Sequence, residues 1–143
     1  MRAFILMLGA VALLASCSGT QQNGNSDALA GNPAGDSLEL IGKTVLLKYS
    51  TGMMAEVSYV SPTAVHWATF ENGEATGEGD EELTYQRLNG YQFFLSWIEA
   101  DGSTVSQVVD LKGFTVTAFL TFADEDGRGG RGSQLLQGGV ELK

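Results

Sequence analysis

Two runs of aromatic and β-branched residues, Tyr91–Ile98 and Ser103–Leu111, flank a tight Glu99-Ala100-Asp101-Gly102 turn. This pattern predicts a β-hairpin. Side chains alternate across a strand, so Tyr91, Phe93, Leu95 and Trp97 share one face, while Gln92, Phe94, Ser96 and Ile98 share the other. Both faces are largely apolar. A strand that is apolar on both sides belongs deep in a sheet, so the hairpin is expected at the centre of the fold.

From Leu38 onward, short strand signals recur between turn signals at roughly 8 to 12 residues, the rhythm of an all-β barrel or sandwich. Strands are expected near 43–50, 54–60, 63–70, 82–88, 90–98, 103–111, 113–122 and 133–142, with Glu71 to Glu81 as an acidic loop. About eight antiparallel strands with short connections suffice to close a small up-and-down β-barrel. Asp36 to Ile41 is expected to form at most a short turn plugging one end. Residues 38–143 are the expected domain, and a chain of 143 residues has room for one modest core.

What precedes the domain is of another kind. Arg2 is followed by an apolar run from Ala3 to Leu14 and then by Ala15-Ser16 before the chain's single cysteine, Cys17. This run is too short to span a membrane and resembles the signal of bacterial lipoproteins. The resemblance implies cleavage after residue 16, acylation of Cys17, and membrane anchorage through the lipid. Ser18 after the cysteine leans toward the outer membrane facing the periplasm. Residues 18 to about 37, rich in Gly, Asn, Ser and Gln, are expected to be a flexible tether.

Composition excludes several activities. A net charge of −9 repels phosphate backbones, so no nucleic-acid partner is expected. One cysteine and one histidine, His66, leave no material for a disulfide, a cysteine-built zinc site or a multi-histidine metal centre. No metal or cofactor is expected. The GRGGRG run, Gly127–Gly132, precedes a strand rather than a helix, so it lacks the dipole that phosphate cradles use and reads as a turn. The acidic residues Glu78, Asp80, Glu81 and Glu82 form no calcium-loop pattern and read as a solvated loop.

Leu40-Ile41-Gly42-Lys43 with Tyr49 and Thr51-Gly52, then Thr63-Ala64-Val65-His66-Trp67, then the continuous run Phe94 to Asp110, resemble the MoaF-like branch of the calycin superfamily. More distantly the same order resembles phenolic acid decarboxylases. The resemblance implies a small lipocalin-like barrel. In the decarboxylases two first-strand tyrosines and an arginine hold the substrate carboxylate, and a glutamate acts in proton transfer. Tyr49 and Glu99 match one tyrosine and the glutamate; Leu47 stands at the other tyrosine, and Ala75 to Asp80 contain no arginine. A carboxylate buried without those partners costs several kcal/mol, so decarboxylation is not expected to carry over.

With Tyr49 and Glu99 facing inward, alternation assigns the lumen. Val45, Leu47, Ala55, Val57, Tyr59, Val65, Trp67, Thr69, Tyr85, Phe93, Leu95, Trp97, Val105, Gln107 and Val109 point in; Lys48, Glu56, Ser58, His66 and Gln86 point out. On the strand near 113–122, Phe119 competes with Phe114, Val116, Leu120 and Phe122 for the interior. Tyr49, Tyr59, Trp67, Tyr85, Phe93, Leu95, Trp97, Glu99, Val105 and Gln107 are the candidate ligand-binding residues: an apolar cup with a few convergent polar groups. The competing structural reading is a barrel packed solid by the same side chains. The leading functional expectation is a non-enzymatic, lipid-anchored barrel for a small apolar or aromatic ligand. The alternatives are an enzyme using Glu99 and Tyr49, or an envelope protein-interaction module.

Overall fold

The computed structural model describes residues 37–143. The expected signal segment, Cys17 and nearly all of the expected tether lie outside the described residues. Nine strands follow in chain order: β1 (Thr44–Tyr49), β2 (Met54–Ser61), β3 (Ala64–Glu71), β4 (Glu74–Glu82), β5 (Thr84–Arg87), β6 (Gln92–Ile98), β7 (Thr104–Asp110), β8 (Thr115–Ala123) and β9 (Arg131–Leu142). They form one antiparallel sheet in the order β4-β3-β2-β1-β9-β8-β7-β6-β5. The expected hairpin is β6–β7, in register from Gln92↔Asp110 to Ile98↔Thr104; it does not take the expected central place, since only β5 lies outside β6 and the middle strand of the sheet is β9.

β4 and β5 are the two edges of this sheet, yet only Leu83 separates them in the chain. A one-residue link between opposite edges forces the sheet to curl back on itself. No ladder joins the two edges, so the result is an open half-barrel of nine strands. This corrects the expected closed barrel of about eight strands. The ninth strand is β4, which occupies the stretch expected to be an acidic loop. Its Glu- and Gly-rich sequence has poor strand propensity, but it is held to β3 from Ala64↔Glu82 to Glu71↔Glu74. Asn72 and Gly73 carry the turn with φ of 52° and 84°, the backbone that an Asn-Gly hairpin turn requires. The one-residue link at Leu83 leaves no turn in which β5 could fold back as a hairpin onto β4. Exposed Glu74, Glu78, Asp80 and Glu82 also charge β4, a common protection of free strand edges.

The inner face follows the alternation. Val45, Leu47 and Tyr49 on β1, Ala55, Val57 and Tyr59 on β2, Phe93, Leu95 and Trp97 on β6, and Val105, Gln107 and Val109 on β7 are all buried. On β8 the interior goes to Val116, Ala118 and Leu120, while Phe114 and Phe119 are exposed and Phe122 lies out at the strand's end. Leu136 and Val140 complete the core from β9.

One end of the half-barrel is stopped by the segment before β1. The Leu38 amide donates to the Gly90 carbonyl at 2.8 Å, and the Gly42 amide to the Tyr59 carbonyl at 2.7 Å. Between them Leu40 is fully buried in the core cluster. Arg87 donates to the Leu38 carbonyl at 2.9 Å and pairs with Glu39. A turn at Ile41–Gly42 replaces the expected one over Asp36 to Ile41.

Candidate functional site

Near the other end, the last residues of β1, β3, β6 and β8 and the first of β2 and β7 surround a cavity of about 120 Å³. Six candidate residues line it: Tyr49, Trp67, Trp97, Glu99, Val105 and Gln107. The other four do not. Phe93 and Leu95 are fully buried nearer the Leu40 end. Tyr85 stacks on Phe93 with ring centroids 6.1 Å apart, and the Arg87 guanidinium lies 4.9 Å from the centre of the Phe93 ring. Tyr59 is fully buried beneath the cavity, where its hydroxyl oxygen accepts from the Gln107 amide at 2.6 Å. These four brace the site and pack the core.

Met53, Ala55, Val57, Thr69 and Leu120 complete the lining. Ala55, Val57 and Thr69 carried the inward parity, the first two without a polar or aromatic mark and Thr69 with a hydroxyl that bonds to β4, and Leu120 was one of two competing assignments. Met53 precedes β2, where strand alternation gives no guidance.

The cavity owes its shape to glycine on β4. Trp67 faces Gly79 directly across the β3–β4 ladder, and a Cβ at Gly79 would sit 3.0 Å from the indole. One at Gly77 would approach it to 3.3 Å. The indole therefore covers backbone that carries no side chain, which also protects glycine in an edge strand. Residues 75–80, which lack an arginine, thus form a strand whose inner glycines adjoin Trp67.

Two buried polar atoms on lining residues have no partner among the described residues: Trp67 Nε1 and Gln107 Oε1. Rotating the Gln107 amide would let Tyr59 donate to the oxygen and leave the nitrogen unmatched instead. Either way one donor on Trp67 and one amide atom on Gln107 are unsatisfied, a state that costs ~1–3 kcal/mol per group in a dry interior.

Among the described residues Glu99 is the only charged one lining the cavity. It accepts from Trp97 Nε1 at 3.4 Å. Desolvation raises its pKa, the Trp97 bond opposes that shift, and the nearby carboxylates of Asp101 and Glu81 add to it. Burial likewise raises the Tyr49 phenol, so its hydroxyl stays protonated at neutral pH. Asp101 is held below the usual carboxylate range by the Ser103 amide, which donates to it at 2.8 Å.

Beyond Trp97 lies a more open groove of about 410 Å³ lined by Glu81, Glu82, Thr84, Ser96, Trp97 and Ile98. It runs where β4 comes near β6, and Trp97 borders both spaces. His66 is on the outer face, where its Nδ1 lies 2.9 Å from Asp80. Among the described residues no three His, Cys, Asp or Glu side chains are placed to hold a metal ion. The acidic run divides between faces: Glu78, Asp80 and Glu82 are exposed and Glu81 is half-buried. In the glycine-rich run, Arg128–Gly130 form a single 3-10 turn. Arg131 then donates to the Gly102 carbonyl at 3.0 Å and to Thr121 at 2.8 Å, tying this turn to the β6–β7 turn.

A family model described as MoaF-like matches residues 41–133. The chain belongs to the MoaF-like family. The match runs from the stopper segment through the first residues of β9 and so includes every residue lining the cavity. No curated protein matches the chain. Among solved structures, a Burkholderia vietnamiensis protein described as a "putative beta-lactamase" is similar, with a TM-score of 0.61 and 22% identity over 74% of this MoaF-like chain and 97% of that one. At that identity the likeness is one of fold.

Proposed function

We propose that this MoaF-like chain is a lipid-anchored protein of the bacterial envelope whose half-barrel binds a small apolar or aromatic ligand without transforming it. The observation that carries the reading is the cavity: mostly apolar walls, with an unmatched indole N–H and an unmatched buried amide atom. A few polar groups converging in an apolar cup are the usual make-up of a small-molecule site. A dry apolar cavity of roughly 150 Å³ is known to take benzene, so a single small ring is the scale of occupant.

Catalysis has less support. Among the described residues no serine, lysine or histidine lines the cavity, so its hydroxyls, Tyr49 and Thr69, have no histidine or lysine base beside them there. Among the described residues Tyr49 and Glu99 are the two titratable groups of the lining, and Tyr49 stays protonated at neutral pH. Membrane attachment rests on the Leu14-Ala15-Ser16-Cys17 pattern, since two acyl chains hold a protein durably to a bilayer.

Binding is tested by native mass spectrometry and thermal shift of the full chain against aromatic acids, alcohols, amines and isoprenoids. A saturable shift that disappears in a Gly79→Ala variant supports the reading; no shift with any class overturns it. Metabolic labelling with an alkyne fatty acid tests the anchor. Label on the parent and none on Cys17→Ser is the expected result, and an unlabelled parent overturns the anchor.

A further inference from the structure

The polarity of the cavity narrows its occupant. Among the described residues the lining holds one carboxylate, Glu99, and no cationic side chain. Two further carboxylates, Glu81 from β4 and Asp101 from the β6–β7 turn, act on Glu99. Tyr49, Trp67 and Trp97 supply ring surface around it. Aromatic faces beside an uncompensated carboxylate attract organic cations through the ring quadrupole as well as by charge. Deeper in the cup, Gln107 is 2% exposed and retains an unmatched amide atom.

Resting on the binding reading above, we infer that the cavity takes a small organic ammonium, its apolar body among Tyr49, Trp67 and Trp97 and its charged nitrogen at Glu99. Leu95 faces Gln107 across the β6–β7 ladder, and Glu99 stands four residues further along. Glu99 lies just past the end of β6, so the charged end of the occupant sits toward the turn and its body toward Gln107. A hydroxyl at the inner end is a group that can meet the unmatched amide atom of Gln107, as donor to an oxygen or acceptor from a nitrogen. The preferred class is thus a ring carrying an aminoalkyl arm at one side and a hydroxyl at the other.

The titratable groups around Glu99 are Glu81, Asp101 and Tyr49, with Arg131 anchored on the adjacent turn at Gly102. Protonating Glu99 removes the charge that the ammonium meets. Affinity for the cation therefore falls as pH drops through the Glu99 pKa, while affinity for a neutral analogue does not.

Isothermal titration of the full chain with benzylammonium, benzyl alcohol, benzoate and 4-hydroxybenzylammonium tests this. The expected order is the hydroxylated cation first, then benzylammonium about ten-fold tighter than the alcohol, and benzoate last. Glu99→Gln keeps an acceptor for Trp97 and is expected to bring benzylammonium down to the level of the alcohol. Gln107→Leu is expected to erase the gain from the ring hydroxyl only. If the alcohol or benzoate binds as well as the cation, or the cation preference survives Glu99→Gln, the inference is overturned while the binding reading stands. If none of the four binds, the inference is likewise overturned, and the broader ligand screen above decides the binding reading separately. A variant that misfolds is recognised by its thermal unfolding, and the parent's pH profile then serves in its place: a cation affinity independent of pH overturns the inference.

Discussion

The two ends of the half-barrel are built from the same strands and the same kinds of side chain, yet one is packed and the other hollow. At the packed end Leu40, Tyr59, Phe93, Leu95 and Val109 are fully buried in the core cluster, and a segment from outside the sheet stops the opening. At the hollow end Tyr49, Trp67, Trp97 and Gln107 enclose about 120 Å³ and leave polar atoms unmatched. Aromatic content does not separate the two. The difference comes from what stands opposite: an aliphatic stopper at one end, and at the other the glycines of β4, which let the Trp67 ring lie against backbone.

The largest effect expected from breaking this contrast is at the packed end. Phe93→Ala removes a fully buried ring, and a loss of about 3–5 kcal/mol in urea unfolding is expected. Leu40→Ala is expected to cost about 2–4 kcal/mol; a loss below about 1 kcal/mol would mean that the stopper is not part of the core.

Gly79→Ala places a methyl 3.0 Å from the Trp67 indole and is expected to cost about 1–3 kcal/mol through overpacking. Its second readout is tryptophan emission, which should shift as the ring moves toward the cavity. An unchanged spectrum and stability would show that the indole moves freely.

The polar floor sharpens the comparison through a double-mutant cycle. Tyr59→Phe leaves the Gln107 amide with both ends unmatched, an expected loss of about 1–3 kcal/mol. Combined with Gln107→Leu, most of that loss should be recovered, because neither polar group of this pair remains to be satisfied. Additive losses would sink the pairing.

The smallest effect is the pH dependence of Glu99. Its folded pKa lies above the unfolded value of 4.5, so the folded state holds the proton more tightly. The stability this contributes is fully present below the unfolded pKa and is lost as pH rises through the folded one. Relative to Glu99→Gln, the parent should therefore lose stability between pH 4.5 and neutrality; equal pH profiles for the two would contradict the desolvation.

Much of the fold was legible in the sequence. The β6–β7 hairpin, the inward parity of β1, β2, β6 and β7, and the outward place of His66 all follow from period-two alternation, which is local. β4 was legible in part: Asn72-Gly73 is a strong hairpin signal, but the glutamates and glycines after it suggested a loop. Their strand state comes from pairing with β3, which propensity does not report. Phe119 shows the same limit, because an exposed phenylalanine on β8, opposite exposed Leu135, cannot be told from a buried one by hydrophobicity alone.

Alternation and turn chemistry by themselves determined an antiparallel all-β domain, its β6–β7 hairpin and which side chains turn inward, since each depends on neighbours a few residues apart. Only the tertiary structure decided that the sheet stays open between β4 and β5. It also decided which inward residues line a cavity: Tyr59, Tyr85, Phe93 and Leu95 pack, while Trp67, Trp97 and Gln107 do not close the space between them. Both outcomes depend on groups that meet only after the sheet has curled, such as Gly79 against Trp67 and Tyr59 against Gln107. No local pattern along the chain encodes the volume left between them.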